Sequence, residues 1–535
     1  MNFDVFDRPW IPIVDGAGRH RDVGLHEAFA RAHELRWIDA EAPVVTAALH
    51  RLLLAFAHRI YGPESRQAWE ALWTAEGLPE DELASYRDTY RDRFDLFDQQ
   101  RPFLQCPALP QEKMGSAAQL VLGRSVGNNA TLFDRTTAQD HPELDPAEAA
   151  RWLVTLHAFD TGGLKTPYTT DKSAERGLCN FFGVTLVEAA TLKETLLLNL
   201  HEYSPHRQIP DHTGSSDGPP WEHAEPPRPE PDKEGRPPRG VVDLLTWPSR
   251  RILLRPVQRG DAVVVDGAVI TPGERFRSEL ANTELMGAFF DATPRSRRSL
   301  PQPTKPVTLE ELRGVWRHCR ELLLPAGQQN RRQRPRVLDH VAENAPDEVY
   351  TLRVFGQRLD RNGGAVEAWM QESVPAPVSL LRVRDEQSVE ELLGQAVRLA
   401  DYVGSALEQL DKQYDKQMSA EHKNKRSMLT QWYWPELSEP FGKLLRDVGG
   451  VLDAQGSRAS ARRELIELFT GWRDQVRNLA WKAATTWAER SPRGSGRQVM
   501  SLADAENSFK RAVSHRCREY DERIDATAIV DDEED

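Results

Sequence analysis

The chain has 535 residues, 39% apolar and 28% charged, with a formal net charge of −13. It is long enough for two or three domains with a large core, and its acidity excludes a protein that binds nucleic acid through uniform positive charge. No apolar run approaches the ~20 residues of a membrane span, and four widely spaced cysteines argue against a disulfide framework or a local zinc knuckle. A cytoplasmic protein without metal or cofactor is expected.

"FDVFDRPWIPIVDGAGRHRDVGLHEAF" opens the chain as strand, glycine turn over Asp15 to Gly18, strand and helix. Leu49, Leu52, Leu53, Phe56 and Ile60 recur at helical spacing and predict a buried face. In "LDPAEAARWLVTLHAF" Asp145 can cap and Pro146 can open a helix. Residues 204 to 240 hold ten prolines and predict a flexible segment without a fold. "RRILLRPV" and "DAVVVDGAVITPG" read as strands. From about residue 386 the texture turns helical, with apolar stripes over Val389–Leu410, Phe441–Val448, Leu465–Leu479 and Leu502–Val513. The expected fold is α+β: a mixed α/β N-terminal domain over 1–380, a C-terminal four-helix bundle over 386–524, and a disordered acidic tail over 525–535.

Gly123-Arg124-Ser125-Val126-Gly127 spells the G-x-S-x-G of a hydrolase nucleophile elbow, which needs its serine on a strand-to-helix turn. "AAQLVL" can supply the strand, but "NNATLFDRTT" is poor helix material. A serine hydrolase using Ser125 and an exposed polar loop therefore both stand, and the loop suits the residues better. "GGLKT" lacks the upstream glycine of a P-loop. Asp211-His212 and Asp339-His340 reverse the order of a metal phosphohydrolase and read as surface pairs, and no histidine spacing suits a metal. "FDTGGLKTPYTT" sets two glycines, which permit close main-chain approach, before Lys165. "RLDRNGG" is a second tight turn. "PRSRRS", "NRRQRPR" and "HKNKR" are basic clusters, each of which is by itself as easily a solvated face as a binding patch. A purely structural scaffold is a third reading. Trp472 and Trp481, at helical spacing, suit a core better than a base-stacking platform.

Several segments taken in order resemble one family. "RPWIPIVDGAGRHRDVGLHEAF", "RPFLQC", "GNNATLFDR", "AEAARWLVTLHAFDTGG", "TWPSRRI" and the helical C-terminus resemble CasA, the large subunit of the type I-E CRISPR Cascade complex. The resemblance covers nearly the whole chain and rests on order and spacing rather than on one motif. It implies a non-catalytic subunit that recognises the protospacer-adjacent motif (PAM) in double-stranded DNA, helps start strand separation and R-loop formation, and recruits a separate helicase-nuclease. Its implied partners are the guide-RNA-bound Cascade subunits, including the small subunits, and the target duplex; no membrane is involved.

The resemblance also implies site residues. The stretch 123–142 matches a mobile loop, with Asn128, Asn129, Leu132, Phe133 and Asp134 at its tip and Ser125 no nucleophile. Phe159, Asp160, Thr161, Gly162 and Gly163, with Lys165 beyond, match a glycine loop lying against the PAM in the minor groove. Arg361, Asn362, Gly363 and Gly364 match a strand-parting wedge. The family's wedge carries a glutamine, whose place falls to Asn362 or, with a shifted alignment, to Gln357. Arg275, Arg277 and Arg295 are candidates for a basic PAM contact.

Overall fold

The structure is a computed structural model that describes residues 1–123, 142–291, 304–325, 332–383, 386–417, 427–454, 457–491 and 495–529. The chain forms two compact units. The first comprises Met1–Thr308, Pro335–Asn344 and Arg353–Gln371; the second comprises Leu309–Arg334, Ala345–Leu352 and Glu372–Asp535.

In the first unit Ile11–Asp15 is the central strand of an antiparallel sheet, flanked by His20–Val23 and Leu35–Ile38. Its opening turn forms as the sequence predicts. The Asp15 carboxylate accepts from the backbone of Ala17 and Arg19, and Gly18 takes φ +79°, a backbone angle that suits glycine. The helix Pro43–Ile60 is buried on nearly every face, as an all-round apolar helix must be, and packs on the helix Pro146–Phe159. The latter starts as expected, with Asp145 Oδ1 accepting from Glu148 N at 2.8 Å and Pro146 in the first position. Arg250–Arg259 and Ala262–Pro272 form a long antiparallel hairpin. In a third sheet the parts of two later strands that belong to this unit, Arg353–Leu359 and Val366–Gln371, follow Val184–Glu188, with Arg353–Leu359 in the middle.

The proline-rich 204–240 stretch has little regular structure, but it is not loose. Trp221 is buried and stacks on Phe56 at 4.5 Å. The Glu222 carboxylate accepts from Arg59 and from the Tyr86 hydroxyl at 2.7 Å. Proline removes backbone donors, yet it leaves side chains free to be buried, so one tryptophan and one paired carboxylate hold the stretch down.

The second unit is built on the helices Glu386–Gln417, Ser438–Asp453, Arg458–Arg490 and Gly496–Ile529, which carry the four expected stripes, with a short helix at Met428–Tyr433. Trp472 joins its core, edge-on to Phe441 and Trp316 and donating to Ala396 O at 3.0 Å. Trp481 is half-buried under the Arg477 guanidinium. The last helix runs on through Ile529, past the expected end at 524. All four cysteines are buried free thiols.

Candidate nucleic-acid interface

The helix Pro146–Phe159 ends on Phe159, which is fully buried. Asp160 then turns the chain outward from a buried ionic base. Its carboxylate is paired with Arg250 and, at 2.8 Å, with Lys165, while Arg250 Nη2 donates to Thr161 O at 2.9 Å. Burial alone would raise the Asp160 carboxyl; the charges of Arg250 and Lys165 outweigh it and hold the group below its ordinary value. From this base rises a small hairpin, Gly163–Leu164 paired antiparallel with Ser173–Ala174. Gly163 has φ +111°, and a side chain at Gly162 would press on the backbone of Arg176 at 3.3 Å. Leu164 is 82% exposed beside them, and Lys172, just before the opposite strand, is exposed too. The legs of the hairpin are braced: Asp171 by Arg275 at 2.6 Å, Glu175 by Arg277 at 2.9 Å, and the Pro167 and Tyr168 carbonyls by Lys113 Nζ.

The second feature is the turn between Val349–Leu359 and Val366–Pro377. Asp360 organises it. Its backbone pairs with Ala365 and Gly363, and its Oδ1 accepts from the Gly364 and Ala365 amides at 2.6 and 2.9 Å. The amide of Ala365, followed by that of Gly364, keeps the Asp360 carboxyl below its ordinary value. Gly363 takes φ +70°, and Arg361 and Asn362 stand exposed at the tip.

Gln357 is not at that tip. It lies within the strand, and its side chain is spent on the glycine hairpin: Nε2 donates to Phe159 O and to Asn180 Oδ1, both at 2.6 Å. Asn362 is the amide exposed at the turn. Trp369, on the facing strand, donates to Gln357 Oε1 at 3.2 Å and packs near Trp152. Gly123 lies against Trp369, since a Cβ there would fall 2.7 Å from its ring.

Phe159, Asp160, Thr161, Gly162, Gly163 and Lys165 thus share one hairpin and its base, and Arg361, Asn362, Gly363 and Gly364 share one turn. Lys165 is turned back onto Asp160, so it stabilises the hairpin's base. Ser125, Asn128, Asn129, Leu132, Phe133, Asp134 and Arg295 lie outside the described residues. The cluster "NRRQRPR" is not a solvated face where it is described: Arg332 is buried and paired with Glu390, and Arg334 is buried, donating to the Leu323 and Leu381 carbonyls. His340 is no surface residue either, being 7% exposed against Trp69. Sequence reading missed Asn180, Arg250 and Trp369; Arg250 could have been flagged as an arginine opening an apolar strand.

The family profile of CRISPR-associated protein Cse1 matches residues 4–483. The chain belongs to the Cse1 family. A CasA/Cse1 protein of Thermus thermophilus is 32% identical over 530 residues, covering 96% of this chain and 97% of that one. Among solved Cse1 structures, that of Thermobifida fusca matches with a TM-score of 0.81 at 27% identity, over 97% of this chain and 98% of that one. The Acidimicrobium ferrooxidans Cse1 matches at 0.76 and 26%, over 97% and 99%. A chain of a CRISPR RNA-guided surveillance complex shares the Cse1 fold, with a TM-score of 0.72 at 22% identity, over 96% and 99%. Among the described residues no helix is long and apolar enough to cross a membrane.

Proposed function

We propose that this chain is the non-catalytic large subunit of a type I-E CRISPR Cascade complex, reading a PAM in double-stranded DNA and starting strand separation. The observation that carries the reading is the braced glycine hairpin standing beside an exposed turn. A minor groove is narrow and offers few distinguishing donors and acceptors, so a backbone edge of glycines fits it and gives tolerant motif reading. The exposed Leu164 suits the same groove, where apolar side chains insert between base steps. Exchange of a DNA duplex for an RNA–DNA heteroduplex is nearly balanced, which makes initiation the step a protein can control. Opening the first base steps costs on the order of a few kcal/mol, and the Arg361–Gly364 turn is the wedge that offsets it. The helical bundle contacts the small subunits and helps hold the displaced strand, and the assembled subunit recruits the helicase-nuclease.

The test is to assemble the guide-RNA complex with and without this chain and measure its binding to a matched duplex whose flank is permissive or scrambled. Only the complete complex should separate the two. Equal discrimination without the chain would sink the reading.

A further inference from the structure

The glycine hairpin is a two-stranded sheet of its own, sharing no strand with the sheet that carries the Arg361–Gly364 turn. Among the described residues no backbone ladder joins the two, and side chains bridge them. The Gln357 amide bridges the gap, donating to Phe159 O and Asn180 Oδ1 and accepting from Trp369 Nε1. Asn180 Nδ2 donates in turn to the carbonyls of Phe159, at 2.9 Å, and Asp160, at 3.0 Å. Both donors converge on the carbonyl of Phe159, the last helical residue, and Asn180 alone also holds Asp160, which launches the glycine hairpin. The two amides lock each other's orientation, because rotating Gln357 would set its oxygen against the Phe159 carbonyl and the Asn180 oxygen.

We propose that Gln357 and Asn180 are positioning residues that hold the glycine hairpin and the wedge turn at one fixed separation. Motif contact and strand parting then fall a set number of base steps apart. This rests on the function proposed above and adds to it two residues that themselves touch no DNA. A displacement of about 1 Å can lower the rate of a positioned reaction by about 100-fold, so the link matters even though each bond is modest.

The experiment uses the assembled complex carrying Gln357→Glu, which is nearly isosteric but turns a carboxylate toward the Phe159 carbonyl. Asn180→Asp serves as the second variant, should the first assemble poorly. Three targets are compared: a paired duplex with a permissive flank, the same duplex with mismatches beside the flank, and a scrambled-flank control. 2-Aminopurine fluorescence at the first base step reports opening at matched occupancy. On the mismatched target, which needs no wedge, both variants should keep the flank preference of the unaltered complex. On the paired target, opening should fall about tenfold, the size expected for two lost hydrogen bonds. An equal loss on both targets, or no loss on either, overturns the positioning role. If the unaltered complex itself ignores the flank, the underlying function fails, and the positioning proposal falls with it.

Discussion

Acid should unfold the first unit, and its buried histidines set the size of the effect. His50, His58, His157 and His340 are all at most 9% exposed and all lie in that unit. Burial pushes each imidazole down, His50, His157 and His340 to about 4 and His58 to about 3, from an ordinary 6.5. Above pH 6.5 the ring is neutral both folded and unfolded. Between 6.5 and about 4 the unfolded chain takes up a proton that the fold refuses, so stability falls as pH falls. Each ring then contributes a slope of ~1.4 kcal/mol per pH unit. Between pH 8 and pH 5 that is about 2 kcal/mol per ring, of order 8 kcal/mol for the four, against a typical domain stability of about 5–15 kcal/mol. Asp217, whose carboxyl burial raises, opposes this weakly; Asp160, whose carboxyl is lowered, adds to it only in more acid solution. The assay is urea unfolding at pH 8, 7, 6 and 5, followed by tryptophan fluorescence. A midpoint that falls steeply between pH 6.5 and 5 is expected. His58 Nδ1 has no hydrogen-bond partner among the described residues, so His58→Phe should remove about 1.4 kcal/mol per pH unit from the slope. A pH-independent midpoint, or a His58→Phe slope equal to that of the unaltered chain, would refute the reasoning.

Arg250→Met leaves the Asp160 carboxylate buried with Lys165 alone and should lower urea stability by about 3–5 kcal/mol, an effect partly relieved by adding Asp160→Asn. Asp360→Ala removes the oxygen that accepts from Gly364 and Ala365; amide exchange at those two residues should quicken while the midpoint of global unfolding stays put. Leu164→Asp adds negative charge to an 82% exposed position; it should weaken duplex binding by the assembled complex, more at low than at high salt, and leave the thermal midpoint unchanged.

Local structure was legible where chemistry is local. Asp145-Pro146 announces a helix start, Asp15–Gly18 a turn, and the four apolar stripes the four long helices, because caps, turns and 3.6-residue periodicity act over a few residues. The proline-rich stretch misled because composition reports the missing backbone donors and is silent on where Trp221 finds Phe56. Arg332, Arg334 and His340 were misplaced for a related reason: a charged or titratable side chain reads as exposed until distant carbonyls or rings are folded around it. For the candidate site, the two glycine-rich turns stand out by their own residues. The pairs that unite their surroundings, Asp160 with Arg250 and Gln357 with Asn180, are separated by 90 and 177 positions, and no pattern along one sequence marks them.

The first unit takes its last strands from Arg353–Gln371, far along the chain from Val184–Glu188. During synthesis from the N-terminus, a ribosome that has released residues 1–308 has not yet released Gln357 or Trp369. The glycine hairpin can form early from its neighbours and from Arg250, but its link to the turn waits for residue 371. A nascent chain that ends between residues 308 and 353 carries the glycine hairpin without the Arg361–Gly364 turn. Termination of translation in that window should therefore yield fragments in which the hairpin is present and the Arg361–Gly364 turn is not.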